Sequence, residues 1–208
     1  MPTEERLAKM RGIAASRTRH YTFVLEDFND PHNISAVMRT CECFGIQDVH
    51  VIEEVRKFRA SFSILRGAGK WLTLHRWSTR GECLDYLRKE GYRIAVASSK
   101  GEKSFHQSDM APKTAIYMGT EFFGPSGHIL ENSDLVFRIP QHGFTESLNV
   151  SVCAGMLVFH LDRHMEIHGR ENFAISGAEQ EKLVSIWVDS HGTGKLFPGD
   201  SEPDPEGA

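Results

Sequence analysis

Short apolar runs of strand type alternate with segments of helical periodicity along most of this 208-residue chain. The runs occupy residues 21–25, 49–52, 71–77, 94–97, 115–118 and 135–139. Parallel neighbours in a sheet need long crossover connections, and helices usually supply them. The alternation therefore predicts an α/β fold with a mostly parallel sheet and helices on both of its faces.

Apolar residues at helical spacing predict helices at 4–18, 34–44, 78–90, 150–168 and 178–190, and Ser78 and Ser147 are the expected N-caps of two of them. We divide the chain into a basic extension at 1–20, a main domain at 21–169 and a C-terminal helix within 170–191. Glycine, proline and acidic residues dominate 192–208, a composition that predicts a disordered tail.

The charge of the chain is uneven. A formal net charge of −4 argues against a general nucleic-acid coat, whereas residues 1–20 carry five bases against two acids. The four cysteines show no CxxC spacing, so reduced thiols are expected. No apolar run resembles a signal peptide or reaches membrane-spanning length, so we expect a cytoplasmic protein with no membrane contact.

Polar residues and glycines gather in three blocks, each at a junction between a predicted strand and the next helix. Ligands of α/β proteins bind at the carboxyl ends of parallel strands, so a site is expected at these junctions. The blocks contain, in order, Asn33 and Arg39; Gly119, Glu121 and Gly124; and Ser147, Leu148 and Asn149.

Each block suits a ligand site, although each also has an ordinary structural explanation. Arg39 lies off the apolar stripe of its helix, so it can reach a cleft while the helix stays packed. Asn33 stands at the helix start, where a side-chain amide caps the backbone or meets a ligand. Two glycines allow close backbone approach beside the carboxylate of Glu121. The amides of the helical turn after Ser147 can bind an acceptor.

Together the blocks resemble one family. DPHNISAVMRTCECFG at 30–45, AIYMGTEFFGPS at 115–126 and FRIPQHGFTESLNVSVCAGMLVF at 137–159 are similar to the three motifs of the SpoU/TrmH RNA ribose 2′-O-methyltransferases of the SPOUT superfamily. The similarity includes GAGKW at 67–71 and spans roughly 17–168. The basic N-terminal segment and the helix after the core resemble the TrmH subgroup, which methylates the guanosine ribose at tRNA position 18. Gln141-His142 and Phe122-Phe123 depart from the motifs.

The resemblance implies a C-terminal deep trefoil knot and a homodimer whose active site is completed across the interface. It implies S-adenosylmethionine as the cofactor and no metal. Arg39 would be the catalytic residue, and Asn33, Glu121, Ser147 and Asn149 would shape the catalytic site. The residues assigned to the cofactor are Ala97, Gly119, Glu121, Gly124, Ile139, Leu148 and Asn149.

The expected reaction is methyl transfer from a sulfonium to a ribose 2′-oxygen, at guanosine 18 of tRNA or, alternatively, at another tRNA or rRNA ribose. Arg39 has two possible roles, as the base for the 2′-hydroxyl or as a guanidinium that holds a phosphate and stabilises a developing alkoxide. A guanidinium is very hard to deprotonate, which favours the second role. The bases expected to contact RNA are Arg11, Arg17, Arg19 and Lys70, with Arg56, Lys57 and Arg59 as further candidates.

Three other functional classes fit parts of the sequence. His160, His164 and His168 have a spacing that can bind zinc, but no HExxH is present. The Gly-Lys pairs at 69–70 and 194–195 lack the earlier glycine of a P-loop. A non-catalytic RNA-binding protein on the same scaffold is a further alternative, and the intact polar residues of all three blocks favour an enzyme over it.

Overall fold

A single parallel sheet organises the chain in the computed structural model, which describes residues 2–145, 147–191, 193 and 195–198. The strand order is β3-β2-β1-β6-β4-β7-β5, and every neighbouring pair is parallel. The strands are β1 Tyr21–Glu26, β2 Asp48–Ile52, β3 Thr73–Trp77, β4 Arg93–Ala97, β5 Lys103–Ser104, β6 Thr114–Met118 and β7 Leu135–Arg138. The predicted α/β class and parallel sheet are confirmed.

The helices follow the predicted pattern with additions. They are α1 Glu4–Ala15, α2 Pro31–Cys43, α3 Phe62–Leu65, α4 Arg80–Lys89, α5 Gly127–Glu131, α6 Val150–His168 and α7 Gly177–Asp189, with 3₁₀ turns at Ala68–Trp71, Phe105–Gln107 and Arg170–Phe173. Strand β5 and helices α3 and α5 are too short to show periodicity, so the sequence did not predict them. Among the described residues, no helix combines the length and apolarity needed to cross a membrane.

Two expected N-caps were wrong by one and two residues. Thr79, rather than Ser78, caps α4, because its hydroxyl accepts the Glu82 N–H at 3.2 Å while the Glu82 carboxylate accepts the Thr79 N–H at 3.2 Å. Asn149, rather than Ser147, caps α6, where its Oδ1 accepts the Ser151 N–H at 2.8 Å. Ser147 is instead exposed in the preceding loop.

The sheet is covered on both faces, because alternate residues of its central strand enter different apolar clusters. Phe23 and Leu25 of β1 belong to the cluster that holds the buried residues of α2 and α6. Val24 belongs to the cluster formed with α4 and α5. All six residues of β1 are buried, which is the environment of a central parallel strand.

Helices α1 and α7 pack against each other beside this domain. Met10 and Ala14 of α1 meet Leu183 and Trp187 of α7 in a third buried cluster. The segment 1–20 therefore lies against the C-terminal helix along part of its length, which leaves only one side of α1 available to a partner.

Arg17 requires a correction, because it lies inside the protein and cannot contact RNA in this arrangement. Its side chain is 1% exposed and its Nη2 lies 2.7 Å from Glu42 Oε1. Its Nη1 donates to the Glu42 carbonyl oxygen at 3.2 Å, and its guanidinium lies 5.4 Å from the Trp187 ring centroid. A buried charge must be paired, and these contacts make Arg17 a structural link between α2 and α7.

Part of the segment 192–208 that was predicted to be disordered is described, and it packs on the protein. Phe197 is 3% exposed, and its ring lies 5.9 Å from that of Phe58. A Cβ on Gly69 would stand 2.6 Å from the Leu196 carbonyl oxygen, so this segment passes directly over the turn at Ala68–Trp71. Residues 199–208, and Gly192 and Gly194, lie outside the described residues.

Phe197→Ala should lower the free energy of unfolding by about 3 kcal/mol, because it removes a buried ring and leaves a cavity beside Phe58. Urea denaturation measures this value. Phe144→Ala is the matched control, since Phe144 is fully exposed and its truncation should change stability by less than about 0.5 kcal/mol. Equal effects of the two substitutions would contradict the packing of the C-terminal segment.

Candidate active site

The carboxylate of Glu121 connects the loops that follow two neighbouring strands. It lies just after β6 and accepts hydrogen bonds from the backbone N–H groups of Asn29 and Asp30, both at 3.1 Å. It also accepts a bond from Asn33 Nδ2 at 3.2 Å. Because β1 and β6 are paired and parallel, their carboxyl ends lie side by side, and Glu121 fixes the distance between the two loops.

The third block joins the same network through Asn149. Its Nδ2 donates to Asn33 Oδ1 at 3.1 Å, while its Oδ1 caps α6. The Ser151 hydroxyl also donates to that Oδ1 at 2.6 Å. Glu121, Asn33 and Asn149, which the sequence analysis selected from three separate blocks, thus form one hydrogen-bonded row, which we call the polar triad.

A closed turn at residues 120–124 holds Glu121 in place. The Thr120 N–H donates to the Gly124 carbonyl at 3.1 Å, and the Gly124 N–H returns to the Thr120 carbonyl at 2.9 Å. Gly124 has φ +69°, a region that favours glycine. A Cβ on Gly119 would stand 2.1 Å from backbone atoms of Gly124 and Pro125, so only glycine fits there.

The surroundings of Glu121 favour its charged form. Partial burial acts to raise the pKa of this carboxyl, but the backbone N–H groups of Asn29 and Asp30 and the amide of Asn33 outweigh it. The net result is a pKa below the ordinary value of 4.5. Glu121 is therefore a carboxylate at neutral pH, and as such it is suited to accepting hydrogen bonds.

Arg39 lies outside the polar triad within one chain. It is exposed on α2, and its Nη1 donates to the Ile64 carbonyl of α3 at 3.4 Å, at the upper limit for a hydrogen bond. It follows Asn33 by six residues, which corresponds to about 9 Å along the helix axis. No hydrogen bond within the described residues joins Arg39 to Glu121, Asn33 or Asn149. The guanidinium is therefore largely available to a ligand or to another chain.

The sequence analysis missed a buried charge cluster beneath the triad. Arg80 Nη2 lies 2.6 Å from Asp27 Oδ2, and its Nη1 lies 2.8 Å from Glu54 Oε2. Its Nε pairs with Glu26 Oε1. The other oxygen of Glu26 accepts the Ser126 N–H at 3.1 Å, which connects the cluster to the segment after the Glu121 turn.

Asp27 connects this cluster to the backbone of the loop after β2. It is 2% exposed and has φ +46°, an uncommon value for a residue with a side chain. Its Oδ1 accepts the N–H groups of Val55 at 2.7 Å and Arg56 at 3.1 Å. A signal for these acids is present in the sequence, since Glu26 and Asp27 directly follow the apolar residues 23–25. Nothing local indicates that Arg80 is their partner.

The residues assigned to a cofactor lie at the same edge of the sheet as the triad. Ala97 ends β4, Gly119 follows β6 and Ile139 follows β7. Ala97 is in register with Met118 and Phe137 on the neighbouring strands, so the three carboxyl ends are adjacent. Leu148 is 38% exposed in the loop before α6.

The bases predicted to contact RNA are not brought together. Arg11 is exposed on α1, 3.8 Å from Glu181. Arg19 precedes β1 and lies 2.9 Å from Asp48, beside a cavity of about 330 Å³ at the amino ends of the strands. Lys70 precedes β3 and is half-buried. Arg56 lies at the carboxyl edge instead, where its Nη1 donates to Asn29 Oδ1 at 2.7 Å.

The histidines of α6 do not form a metal site in the described part of the chain. The rings of His164 and His168 lie 4.3 Å apart, while His160 contacts Phe105 and His106. Among the described residues, no group of three or more His, Cys, Asp or Glu side chains is placed to hold a metal ion.

Known proteins are similar to this chain in sequence and in fold. The family model described as the SpoU rRNA Methylase family matches residues 20–159. A tRNA (guanosine(18)-2′-O)-methyltransferase of Borreliella burgdorferi is 37% identical over 161 residues, which cover 76% of this chain and 73% of the relative. The enzyme of the same name from Escherichia coli K12 is 30% identical over 183 residues, 86% of this chain and 80% of the relative.

A solved structure extends the similarity beyond the matched motifs. The chain of the A. aeolicus TrmH/SpoU tRNA modifying enzyme superposes with a TM-score of 0.83 at 26% identity, and the superposition covers 90% of this chain and 96% of that one. Since the coverage exceeds residues 20–159, the likeness extends past the part of the chain that the family model matches.

Glu121→Gln should lower the free energy of unfolding, and the loss should be larger at neutral pH than at acidic pH. Because the pKa of Glu121 is lowered in the folded state, its charged form stabilises the fold above about pH 4.5, and this contribution is lost as the pH falls through the folded-state pKa. Urea denaturation of wild type and variant between pH 3 and pH 7 measures the difference, which should shrink on acidification. Glu131→Gln, at an exposed position, is the control. A difference independent of pH would contradict the assignment.

Proposed function

Since this chain belongs to the SpoU rRNA methylase family, we propose that it transfers a methyl group from S-adenosylmethionine to a ribose 2′-hydroxyl of tRNA, at guanosine 18. The names of the B. burgdorferi and E. coli relatives give that nucleotide and that reaction for those enzymes. The observation that carries the proposal is the convergence of Glu121, Asn33 and Asn149 at one edge of the sheet. We place the reaction in the cytoplasm, where such a substrate is found.

The carboxyl edge suits the cofactor. Ala97, Gly119, Ile139 and Leu148 would present backbone groups to it, and the missing Cβ of Gly119 lets the turn at residues 120–124 fold back closely on the end of β6. When bound, S-adenosylmethionine supplies an activated methyl group on a sulfonium. Glu121, Gly124 and Asn149 would also border the cofactor at this edge.

The contribution of the protein to this reaction is alignment and charge stabilisation. The 2′-oxygen must be held in line with the methyl carbon, and the triad offers donors and acceptors for that purpose. We propose that Arg39 binds the neighbouring phosphate and stabilises developing alkoxide character, with the phosphate or a water molecule accepting the proton. Ser147, exposed beside Asn149, is available to the ribose or the cofactor.

A second copy of the chain would complete this site. Helix α6 exposes Val152, Met156 and Phe159 by 50%, 45% and 61%, and the spacing of these residues places them on one helix face. Helix α2, which carries Arg39, packs against α6, and the rings of Phe44 and Phe159 meet at 6.4 Å. An Arg39 without a bond to the triad of its own chain suits a site that two chains share.

The chain path supports the knot that the resemblance implies. Strand β7 lies between β4 and β5, although β4 and β5 follow each other along the chain. The connection between them crosses the end of β7, since a Cβ on Gly101 would stand 2.4 Å from the carbonyl carbon of Phe137. We propose that the chain after β7 passes beneath this connection and so forms the C-terminal deep trefoil knot.

RNA contacts are proposed on both sides of this domain, which we take as residues 21–169. Arg56, Lys57 and Arg59 lie in the loop after β2, near the triad, and would hold phosphates beside the target ribose. Arg11, Arg19 and Lys70 would contact more distant parts of the tRNA. The side of α1 that faces away from α7 gives residues 1–20 their proposed role as an RNA-binding extension.

Arg39→Ala should reduce methyl transfer roughly 100-fold or more while the fold and cofactor binding persist, because Arg39 makes only one long hydrogen bond within the chain. The purified protein is incubated with S-adenosylmethionine and total RNA, and 2′-O-methylation is mapped by nucleotide. Wild type should modify guanosine 18 of tRNA. Modification confined to rRNA would overturn the proposed substrate, and none in any RNA would overturn the function.

Two further variants refine this experiment. Arg39→Lys keeps the charge but loses the planar fork, so near-wild-type activity in it would contradict a bidentate guanidinium. Lys89→Ala removes an exposed base from the end of α4, at the amino edge of the sheet, and should leave the rate unchanged.

Phe159→Glu should convert a dimer into a monomer, because it replaces the most exposed of the three apolar residues on this face of α6 with a charge. Size-exclusion chromatography with light scattering gives the mass. Ile186→Glu is the matched control, since Ile186 is a 36%-exposed apolar residue on α7, and it should leave the mass unchanged. A monomeric wild type, or a variant with wild-type mass, would refute this interface.

A further inference from the structure

Two phenylalanines stand almost fully exposed beside the polar triad. Phe122 is 79% exposed and Phe123 is 90% exposed, and both follow Glu121 directly in the closed turn at 120–124. Contact of a whole aromatic ring with water is unfavourable, and burial of such a ring against a partner is favourable. Neither ring contributes to an apolar cluster of the described chain.

The turn that carries the two rings is built to be stiff. Its ends are closed by the two backbone hydrogen bonds between Thr120 and Gly124, and the Phe123 N–H donates to Thr120 Oγ1 at 3.1 Å. Backbone atoms of the turn leave no space for a side chain on Gly119. A ligand that meets these rings therefore orders little additional chain, which lowers the entropic cost of binding.

The position of the rings relative to the site follows from the same turn. The Glu121 side chain is directed at Asn29, Asp30 and Asn33, while the next two residues remain in solvent. The rings thus lie within two residues of the carboxylate that organises the proposed ribose site. Arg56 donates to the Oδ1 of Asn29, whose N–H binds that carboxylate, so a cation lies close to the loop that holds Glu121.

We propose that Phe122 and Phe123 form a stacking platform for a nucleobase of the RNA, next to the nucleotide whose ribose is methylated. This rests on the proposed function and adds the part of the substrate that is recognised. Aromatic rings stack on unpaired bases, while nearby cations hold the phosphates, and both elements are present here. The base that stacks is one that is splayed out of any helix.

A second copy of the chain is the competing occupant, and the surroundings of the rings disfavour it. The other residues of the turn are Thr120, Glu121 and Gly124, and they offer no aliphatic side chain to extend an apolar interface. The exposed apolar residues of α6, in contrast, continue along a helix face, as protein interfaces require. A nucleobase can stack on the exposed face of a single aromatic ring and does not require a continuous apolar surface.

The test measures binding of an in vitro transcribed tRNA with guanosine at position 18, by fluorescence anisotropy in the presence of S-adenosylhomocysteine. Phe122→Leu/Phe123→Leu keeps apolar side chains but removes both rings, and it should weaken binding roughly tenfold or more. Phe122→Tyr/Phe123→Tyr keeps the rings and should bind within about twofold of wild type. Cofactor affinity, measured by calorimetry without RNA, should be equal in all three proteins.

Salt dependence separates stacking from charge. The leucine variant should shift the plot of log Kd against log salt concentration without changing its slope, because no cation is removed. Arg56→Gln should instead reduce the slope by about one, the effect expected for one lost phosphate contact.

The outcomes are distinct from those of the proposed function. If wild type methylates the tRNA but the leucine variant binds it as tightly, the platform alone is refuted. A leucine variant that becomes a monomer assigns the rings to the interface between copies and also refutes the platform. A wild type that neither binds nor methylates any RNA ends the proposed function, and the platform with it.

Discussion

A single carboxylate gives this site its geometry. Parallel pairing of β1 and β6 brings two loops near each other, but pairing alone leaves each loop free to choose its conformation. Glu121 removes that freedom by accepting three N–H groups from the loop and helix that follow β1. Bonds of this kind, with a charged acceptor, are about twice as strong as neutral ones. The orientation of the Asn33 amide follows, since its Nδ2 must face Glu121, which leaves its Oδ1 for Asn149 and hence for the start of α6.

The loop that binds Glu121 is itself stabilised by buried ion pairs at the end of β1. Glu26 and Asp27 are buried at the end of β1, where unpaired carboxylates would be very costly. Arg80 forms ion pairs with both of these carboxylates, and it also pairs with Glu54 from the neighbouring loop. The left-handed backbone at Asp27 persists because Arg80 and two backbone N–H groups hold its carboxylate on both oxygens. The triad is therefore the exposed end of a polar network that begins inside the protein, and in the proposed function such support would keep the catalytic groups in position.

The sequence predicts those parts of this structure that depend on local pattern. Strand–helix alternation was sufficient for the parallel sheet, and the boundaries of α6 agree with its apolar spacing. Residues of the three blocks also converge at one edge, as expected for polar residues at the ends of parallel strands. What failed depends on partners remote in sequence. From the sequence alone, Arg17 is indistinguishable from a surface base, and only the fold places Glu42 and Trp187 against it. Phe197 likewise belongs to a polar segment in the sequence, and only the fold brings its ring to Phe58. Asn149 displaced Ser147 as the cap because Asn33, more than one hundred residues earlier, fixes its amide.

Local arrangement of charge explains how a chain with a formal net charge of −4 can serve a polyanionic substrate. Beyond roughly 8 Å, salt screens most of the interaction between exposed charges, so a phosphate at the carboxyl edge responds to its neighbours rather than to the total. The buried acids beneath the triad are partly neutralised by Arg80, and the carboxylate of Glu121 is occupied by N–H donors. The bases of the loop after β2 are exposed, as is Arg39 on α2. The acids thus organise the backbone from inside while the cations meet the solvent, and in the proposed function that separation would allow one edge of the sheet to be both rigid and attractive to RNA.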